Sequence, residues 1–483
     1  MKITFLKSLL VLGAFMCFGL VQAQEVSGTV SDASGPLPGA SVLEKGTTNG
    51  TQTDFDGNYT LTAQDGAVLI VSYIGYKTQE VAVNGRSSIN FTLDEDAEAL
   101  EEVVIIGYGT TTVKDATGSV TAVTAKDFNG GNIASPEQLI QGKTAGVNIQ
   151  ETSGEPGAGI QINIRGSNSV RANNNPLFVV DGVPLGSGDT APSGETGFGQ
   201  SAVKNPLNFI NPNDIESMSI LKDASATAIY GSRGANGVVI ITTKSGKGSR
   251  KGVFDFSSSL SIATAANTFD LLDGPEFLAG VASVGGDANA VNFGANTDWQ
   301  QVVLRSTASQ NQNLSYSKNY GSGNVRATFS YGKQFGIVEN SDLERITGRI
   351  NFNQRFLDDK LVLGVQMSVA RINDSQAPIS AQAGASGDVL GGAYAANPTW
   401  PNNSNFNAGG LNVNPQNALD NTQNLTNTNR YLLNGSVQYN FTPELSAKLN
   451  AGLDVAEASN TSVISRDINN INGVSGVGRG NYS

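Results

Sequence analysis

The second half of the chain alternates apolar and polar residues with a period of two. Val325, Ala327, Phe329 and Tyr331 are separated by polar residues or glycine. The same pattern recurs in residues 346–356, 361–369, 431–441 and 445–455, and more weakly in residues 254–262 and 313–318. Successive side chains of a β-strand point to opposite faces, so the pattern predicts about seven amphipathic strands.

The connections between these segments are of two kinds. Residues 321–324, 357–360 and 442–444 form tight turns, whereas residues 264–311 and 373–429 form very long connections. Short periplasmic turns and long outer loops are typical of outer-membrane barrels, whose tilted strands need about 9–11 residues to cross the bilayer. A soluble sandwich also alternates, but it has no reason to segregate its loops. We therefore expect residues 249–483 to be the N-terminal part of an antiparallel transmembrane β-barrel.

The first part of the chain predicts a small soluble domain. Short alternating segments separated by Pro, Gly, Asn and Asp occur between residues 25 and 94, which predicts a β-sandwich over residues 24–95. Asp54 and Asp56 suggest a calcium loop, but Tyr59 stands where an EF-hand needs glycine and Asp65 where it needs glutamate. A hairpin turn is the preferred interpretation.

Residues 113–248 predict a mixed α+β domain. Ser135, Pro136 and Gln138 form a helix start, with a capping residue, proline at the first helical position and an amide three residues after the cap. Strands are predicted at residues 146–151, 160–165, 177–181, 215–221 and 237–243, with a short helix at 224–230.

Three charged residues of this middle domain stand next to glycines: Arg165, Asp181 and Arg233. Two interpretations stay open for them. They serve turns and internal ion pairs, or they form one functional network inside the domain.

An isolated apolar run lies between the first and the middle domain, in the linker of residues 96–112. It comprises Val103, Val104, Ile105 and Ile106, with Glu102 before it and Gly107 after it. Four consecutive β-branched residues favour an extended strand. Such a strand pairs within its own domain or offers its edge to a partner by strand addition, and its position between two domains favours the second role.

The N-terminus predicts a secretory signal peptide over residues 1–23, with Lys2 and Lys7 before an apolar stretch at 8–20. Cys17, the single cysteine, lies within it. Its removal takes two lysines and no acids, so the net charge changes from -12 to 28 − 42 = −14. A chain this acidic is not expected to bind nucleic acid through phosphate contacts.

The chain contains no histidine, which excludes histidine metal sites and Ser-His-Asp chemistry. Gly142, Lys143 and Thr144 resemble the end of a phosphate-binding loop, but Glu137 occupies the place of its first glycine. We therefore predict no catalytic residue, no metal and no cofactor. Residues 397–430 are rich in Asn and include Trp400. Amides and an aromatic face suit sugars; an ordinary solvated loop is the alternative.

Three long runs carry a resemblance to a known family. They are EEVVIIGYG at 101–109, IRGSNSVRANNNPLFVVDGVP at 164–184 and NPNDIESMSILKDASATAIYGSRGANGVVIITTKSGK at 211–247. They resemble the SusC/RagA family of TonB-linked outer-membrane transporters. Residues 24–95 resemble the non-catalytic carboxypeptidase-regulatory-like, transthyretin-like domain.

The resemblance implies a function for each part. Residues 102–107 would be the TonB box, residues 113–248 a plug, and residues 249–483 the start of a barrel that has 22 strands in the family. TonB, driven by the inner-membrane proton gradient, would power import of oligosaccharides or peptides across the outer membrane, with a SusD-like lipoprotein as partner. Seven strands do not close such a barrel, so we expect the N-terminal portion of a longer protein. A surface binding or adhesion module without transport, a non-functional fragment and a carboxylate-based glycosidase are the alternatives.

Overall fold

The computed structural model describes two compact units, which divide the chain between residues 103 and 115. The described residues are 23–483 apart from 33–34, 48, 65, 74–75, 95–102, 107–108, 113–119, 132, 168–173, 187–202, 248–249, 380–387, 407–413, 443–444 and 469–477. The predicted signal peptide, except Ala23, and the predicted box residues Glu102 and Gly107 lie outside them. The domain boundaries at residues 95, 112 and 248 stay predictions.

The first unit is the predicted β-sandwich. Its strands are β1 Ala23–Ser31, β2 Ser41–Glu44, β3 Gly50–Gln52, β4 Asn58–Gln64, β5 Val68–Ser72, β6 Gln79–Ala82 and β7 Phe91–Thr92. They form two sheets with the orders β4-β1-β7 and β3-β2-β5-β6. Val26, Val42, Leu69 and Phe91 fill the core, because alternate side chains of each strand point inward.

The Asp54 turn serves the backbone of this sandwich. The Asp54 carboxylate accepts the backbone N–H of Asn58 at 2.8 Å and that of Asp56 at 3.0 Å, and Gly57 has a φ of 74°. The hydrogen bond from the Asn58 backbone is the main cause that lowers the pKa of Asp54. This geometry is that of a turn, as preferred from the sequence.

The second unit begins with the predicted mixed α+β plug. Its strands, with the two that precede it, are β8 Val103–Ile106, β9 Gly109–Thr112, β10 Val120–Thr124, β11 Val147–Glu151, β12 Ile160–Ile164, β13 Leu177–Val180, β14 Val183–Pro184, β15 Ile215–Leu221 and β16 Val238–Thr243. The plug sheet has the order β10-β15-β16-β13-β14, and β11 and β12 form a separate hairpin. Helix α1 spans Ala224–Thr227, and 3₁₀ turns occupy Pro136–Ile140, Pro212–Asp214 and Ala228–Gly234.

The predicted helix after Ser135 is this first 3₁₀ turn. The Gln138 side chain accepts the N–H of Ala134 at 2.7 Å, and Gly142, with a φ of 75°, follows its end. The predicted start of this helix at Ser135 agrees with the structure. The helix is short because Gly142, which follows it, favours a left-handed backbone that ends a helix.

The rest of the second unit is a large antiparallel sheet. Its strands are β17 Val253–Ala263, β18 Thr307–Asn319, β19 Gly323–Phe335, β20 Asp342–Phe356, β21 Leu361–Ser375, β22 Thr422–Asn440, β23 Ser446–Ile464 and β24 Arg479–Tyr482. The seven predicted strands are present, and a short eighth strand, β24, joins them. In the described part of the chain β17 and β24 end the sheet without pairing to each other, so the sheet is open.

The polarity of the two faces of this sheet is reversed relative to a soluble protein, because the exposed face is apolar and the buried face is polar. Ile350 pairs with Met367, Met367 with Leu433, and Leu433 with Leu453, and all four side chains are exposed on one face. Asn, Ser, Thr and Arg side chains occupy the other face and are buried against the plug. An apolar outer band with a polar interior is the arrangement of a membrane barrel wall.

The connections are segregated as predicted. The tight connections that follow β18, β20 and β22 leave from one edge of the sheet, and the long connections that follow β17, β21 and β23 leave from the other. The long connections contain helices α2 Gly274–Ser283, α3 Trp299–Val303, α4 Val389–Ala395 and α5 Pro415–Asn421. These loops have a hydrophobic core of their own, which contains Trp299, Val338, Val389 and Trp400.

Candidate functional site

The strand β8 contains four of the six predicted TonB-box residues, Val103, Val104, Ile105 and Ile106. It pairs with β9 in a two-stranded sheet. The extended backbone expected for strand addition is therefore present. Its use by TonB stays a prediction.

Arg165, Asp181 and Arg233 do not form one network. The Arg165 guanidinium lies 3.2 Å from Asp223, and both side chains are largely exposed. Arg233 donates to the backbone carbonyl of Leu185. Asp181 is buried and has different partners. Arg165 and Arg233 therefore fit the interpretation of turns and local ion pairs, and not that of one functional network.

Asp181 joins the plug sheet to the wall of the large sheet. It follows β13 with a φ of 48°, and Gly182 with a φ of 88° completes the two-residue turn to β14. Its carboxylate accepts the backbone N–H of Thr243 at 2.9 Å and the Thr243 hydroxyl at 2.9 Å. It also forms an ion pair with Arg349 of β20, in which both side chains are less than 10% exposed.

Further polar contacts hold the plug against the same wall. Lys204 of the plug forms a buried ion pair with Asp374 of β21. Arg430 of β22 donates to the carbonyl of Pro206 at 2.8 Å, and its guanidinium lies 4.3 Å from the ring centre of Phe209. These wall residues were not identified from the sequence, because an inward polar residue of a strand has no local mark of its partner.

Arg430 and Asp214 carry additional charge pairs at this interface. Arg430 binds Asp454 of β23 through two bonds of 2.9 and 2.8 Å. Asp214 accepts the Thr328 hydroxyl at 3.0 Å and lies 3.8 Å from Arg326. Burial raises the pKa of the Asp214 carboxyl, although Arg349 opposes the shift. Asp181 and Asp214, two plug acids at the wall, therefore each have an arginine neighbour.

Two glutamates of the plug are buried. Burial raises the pKa of Glu137 to about 7, and its carboxylate accepts an amide hydrogen of Asn205 at 3.1 Å. Burial also raises the pKa of Glu155 to about 7, although Lys204 opposes the shift. Glu155 accepts the backbone N–H of Ala377 at 3.2 Å, so it joins the plug to the first residues after β21.

An apolar contact completes the attachment of the plug. Leu343, Ala370, Ile372 and Leu432 of the wall belong to the same hydrophobic cluster as the plug core. The plug is thus held by one apolar patch within a surround of hydrogen bonds and ion pairs. Such buried and satisfied polar contacts fix the position of the plug against the wall, because an unpaired polar group in a low-dielectric interior is costly.

Trp400 lies in the core of the loops. Its side chain is 5% exposed, its ring lies 6.0 Å from that of Phe406, and its carbonyl accepts the Thr297 hydroxyl at 2.6 Å. The ring as placed here offers little face to a ligand. Its role in binding a sugar stays a prediction.

The fold and this interface define a class: an outer-membrane barrel protein with a plug held inside the wall. Among the described residues, no helix is long and apolar enough to cross a bilayer. Residues 26–105 match the CarboxypepD_reg-like domain, and residues 112–238 match the TonB-dependent Receptor Plug Domain.

Comparison with known proteins agrees with this class. The chain is 35% identical to the TonB-dependent receptor SusC of Bacteroides thetaiotaomicron over 95% of its length and 47% of that protein. It is 38% identical to a TonB-dependent receptor of Formosa agariphila, over 80% of the chain and 37% of that protein. The RagAB peptide importer in its open-open state shares the fold with a TM-score of 0.63 at 26% identity, over 75% of this chain and 43% of that one.

The chain belongs to the SusC/RagA family of TonB-dependent outer-membrane receptors. Its relatives are receptors and transporters rather than enzymes. The family places it in the outer membrane. The chain spans about half the length of the curated relative SusC.

Proposed function

We propose that the protein containing this chain imports oligosaccharides or peptides across the outer membrane with energy delivered by TonB. The observation that carries the proposal is the order of the parts. An extended strand precedes a plug, and the plug is held by ion pairs and hydrogen bonds to a wall with an apolar outer face. A simple adhesin has no need of a removable plug.

TonB would act on the segment of residues 102–107. The outer membrane has no ATP, so work must reach it through a protein that spans the periplasm. Strand addition to β8 transmits force through backbone hydrogen bonds, which do not depend on side-chain identity. Ligand bound at the outer surface would shift the plug and change the access of this segment, which is a coupling between two sites.

A SusD-like lipoprotein would bind the long connections. Phe269 and Tyr394, from two different connections, contact edge to face with ring centres 5.0 Å apart, and both are exposed. Leu272 is exposed in the same connection as Phe269. Exposed aromatic and aliphatic side chains grouped on a surface favour a protein partner. We assign this group, Phe269, Leu272 and Tyr394, as the partner patch.

Gene disruption tests the proposal. Cells with and without the gene receive a fluorescent oligosaccharide mixture from starch, pectin and alginate, or a fluorescent tryptic peptide mixture. We expect uptake of one mixture to require the gene and to stop when a protonophore collapses the proton gradient. The second candidate, a surface binding protein, predicts gene-dependent binding that ignores the protonophore. Gene-independent uptake of both mixtures would contradict import.

A further inference from the structure

A polar cavity of about 550 Å³ lies between part of the plug and strands β20–β23. On the plug side it is bounded by the Asp181 turn and by Thr242 and Thr243 at the end of β16. On the wall side its lining comes from the halves of the strands next to the tight turns. That edge faces the periplasm in outer-membrane barrels, so the cavity lies on the exit side of the plug.

The wall residues of the cavity form two rows across the strands. In the first, Asn351 is paired with Gln366, and Gln366 with Asn434. In the second, Ser436 is paired with Asn450 across β22 and β23. Rows two residues apart along a strand are separated by about 7 Å. The wall therefore presents successive tiers of amide and hydroxyl groups.

Asn434 lacks a partner for one of its polar atoms. Its Nδ2 donates to the carbonyl of Asp181 at 2.6 Å and to Gln366 at 2.9 Å. Its Oδ1 is buried and accepts no hydrogen bond from the described residues. A buried acceptor without a donor is unfavourable, because it has lost its hydrogen bonds to water. A ligand hydroxyl reaching this side chain would supply the missing donor.

We propose that this cavity is a transit site for a hydroxyl-rich saccharide on its way from the plug to the periplasm. The inference rests on the proposed import function and adds the exit route and the substrate class. Among the described residues that line the cavity, Ile240 is the one with an apolar side chain longer than a methyl group. The lining thus has no pocket for the apolar side chains of a peptide. Its amides and hydroxyls, together with the charged side chains of Glu216, Lys247 and Lys448, exchange hydrogen bonds with sugar hydroxyls. Several weak sites in series allow a cargo to enter and leave.

Filling the cavity tests the route. In the full-length protein, Ser436→Phe and Asn450→Trp place bulk in the cavity, and the matched controls Val437→Phe and Leu449→Trp place similar bulk on the outer face. Surface binding and energised uptake of the oligosaccharide mixture are measured together. We expect the cavity variants to lose about tenfold in uptake and to keep binding within about twofold, since pore width limits passage. The controls should match the wild type.

A chemical version removes doubt about folding. Asn450→Cys is folded first and then modified in cells with a bulky maleimide; the one natural cysteine of this chain is Cys17, in the predicted signal peptide. Rapid modification that abolishes uptake supports the route. An unreactive cysteine, or unchanged uptake after modification, would overturn it.

The remaining outcomes are also distinct. Loss of peptide uptake in place of oligosaccharide uptake would overturn the saccharide assignment. Absence of energised uptake by the wild type would refute the proposed import function itself, and this is seen before any cavity variant is measured.

Discussion

At the scale of single residues, Asp181 combines two tasks. Its left-handed backbone and the following glycine close a tight turn, and its carboxylate joins Thr243 to Arg349. The sequence marks the turn, because Asp-Gly pairs favour positive φ at both positions. It does not mark Arg349, which lies 168 residues further along the chain. The turn at Asp181 could be predicted because neighbouring residues determine it, whereas its distant ion-pair partner could not.

Breaking this pair should loosen the plug. Asp181→Asn leaves the Arg349 charge buried without its partner, which costs about 3–5 kcal/mol. Hydrogen exchange of the β13 and β16 amides should accelerate accordingly. Arg165→Gln is the matched control, because its pair with Asp223 is exposed and contributes at most about 1 kcal/mol. A double variant, Asp181→Asn with Arg349→Met, should recover part of the loss. Equal amide exchange rates in Asp181→Asn and Arg165→Gln would contradict the role of the buried Asp181–Arg349 ion pair in holding the plug.

Glu137 should make plug stability depend on pH. Its folded pKa of about 7 exceeds the ordinary value of 4.5, so the folded plug holds a proton that the unfolded chain has lost. Stability is therefore full below the unfolded pKa and falls as the pH rises from about 4.5 to about 7.

Glu137→Gln should remove the share of the fall due to this residue, about 3 kcal/mol for a shift of this size, and leave the share of Glu155. Urea unfolding of the plug at about pH 5 and about pH 8 measures the difference. Asp127→Asn, at an exposed position of the same domain, is the control. If the free energy of unfolding depends on pH identically in the wild type and in Glu137→Gln, the buried carboxyl does not change its pKa on folding and the prediction is wrong.

At the scale of elements, the strands were predictable and the loop helices were not. A period of two extends along each strand of the wall, because lipid on one side and polar lumen on the other select alternate residues. The loop core joins Trp299, Val338 and Trp400 from separate connections, so no single stretch shows its pattern. Helix α2 is the exception, because the capping box of Asp273 and Glu276 marks its start in the sequence.

The two faces of β22 predict opposite responses to charge. Leu433→Arg puts a guanidinium in the apolar band and should destabilise the inserted protein by about 2–4 kcal/mol. Gln438→Arg, on the cavity face of the same strand, should be tolerated. Folding into the outer membrane is followed by heat-modifiable mobility and urea resistance. Similar losses for both variants would argue against a lipid-facing band.

At the scale of the whole molecule, the outer edge should bind a partner. Phe269→Asp places a charge in the partner patch and should weaken co-purification of a SusD-like lipoprotein by about tenfold, as expected for an aromatic anchor. Phe441→Asp is the matched control, since Phe441 is also exposed but lies at the tight-turn edge. Equal recovery of the lipoprotein with both variants would remove the patch from the interface.

The central claim is that the segment of residues 102–107, which contains β8, couples TonB to the movement of cargo through the wall. Deleting residues 102–107 from the full-length protein, with surface binding and energised uptake measured in the same cells, tests it most directly. The account predicts that binding persists and that uptake falls to the level of the gene disruption. Ile105→Pro should have the same effect by removing a backbone donor, whereas Ile105→Val should not. Unchanged uptake after the deletion would contradict the account.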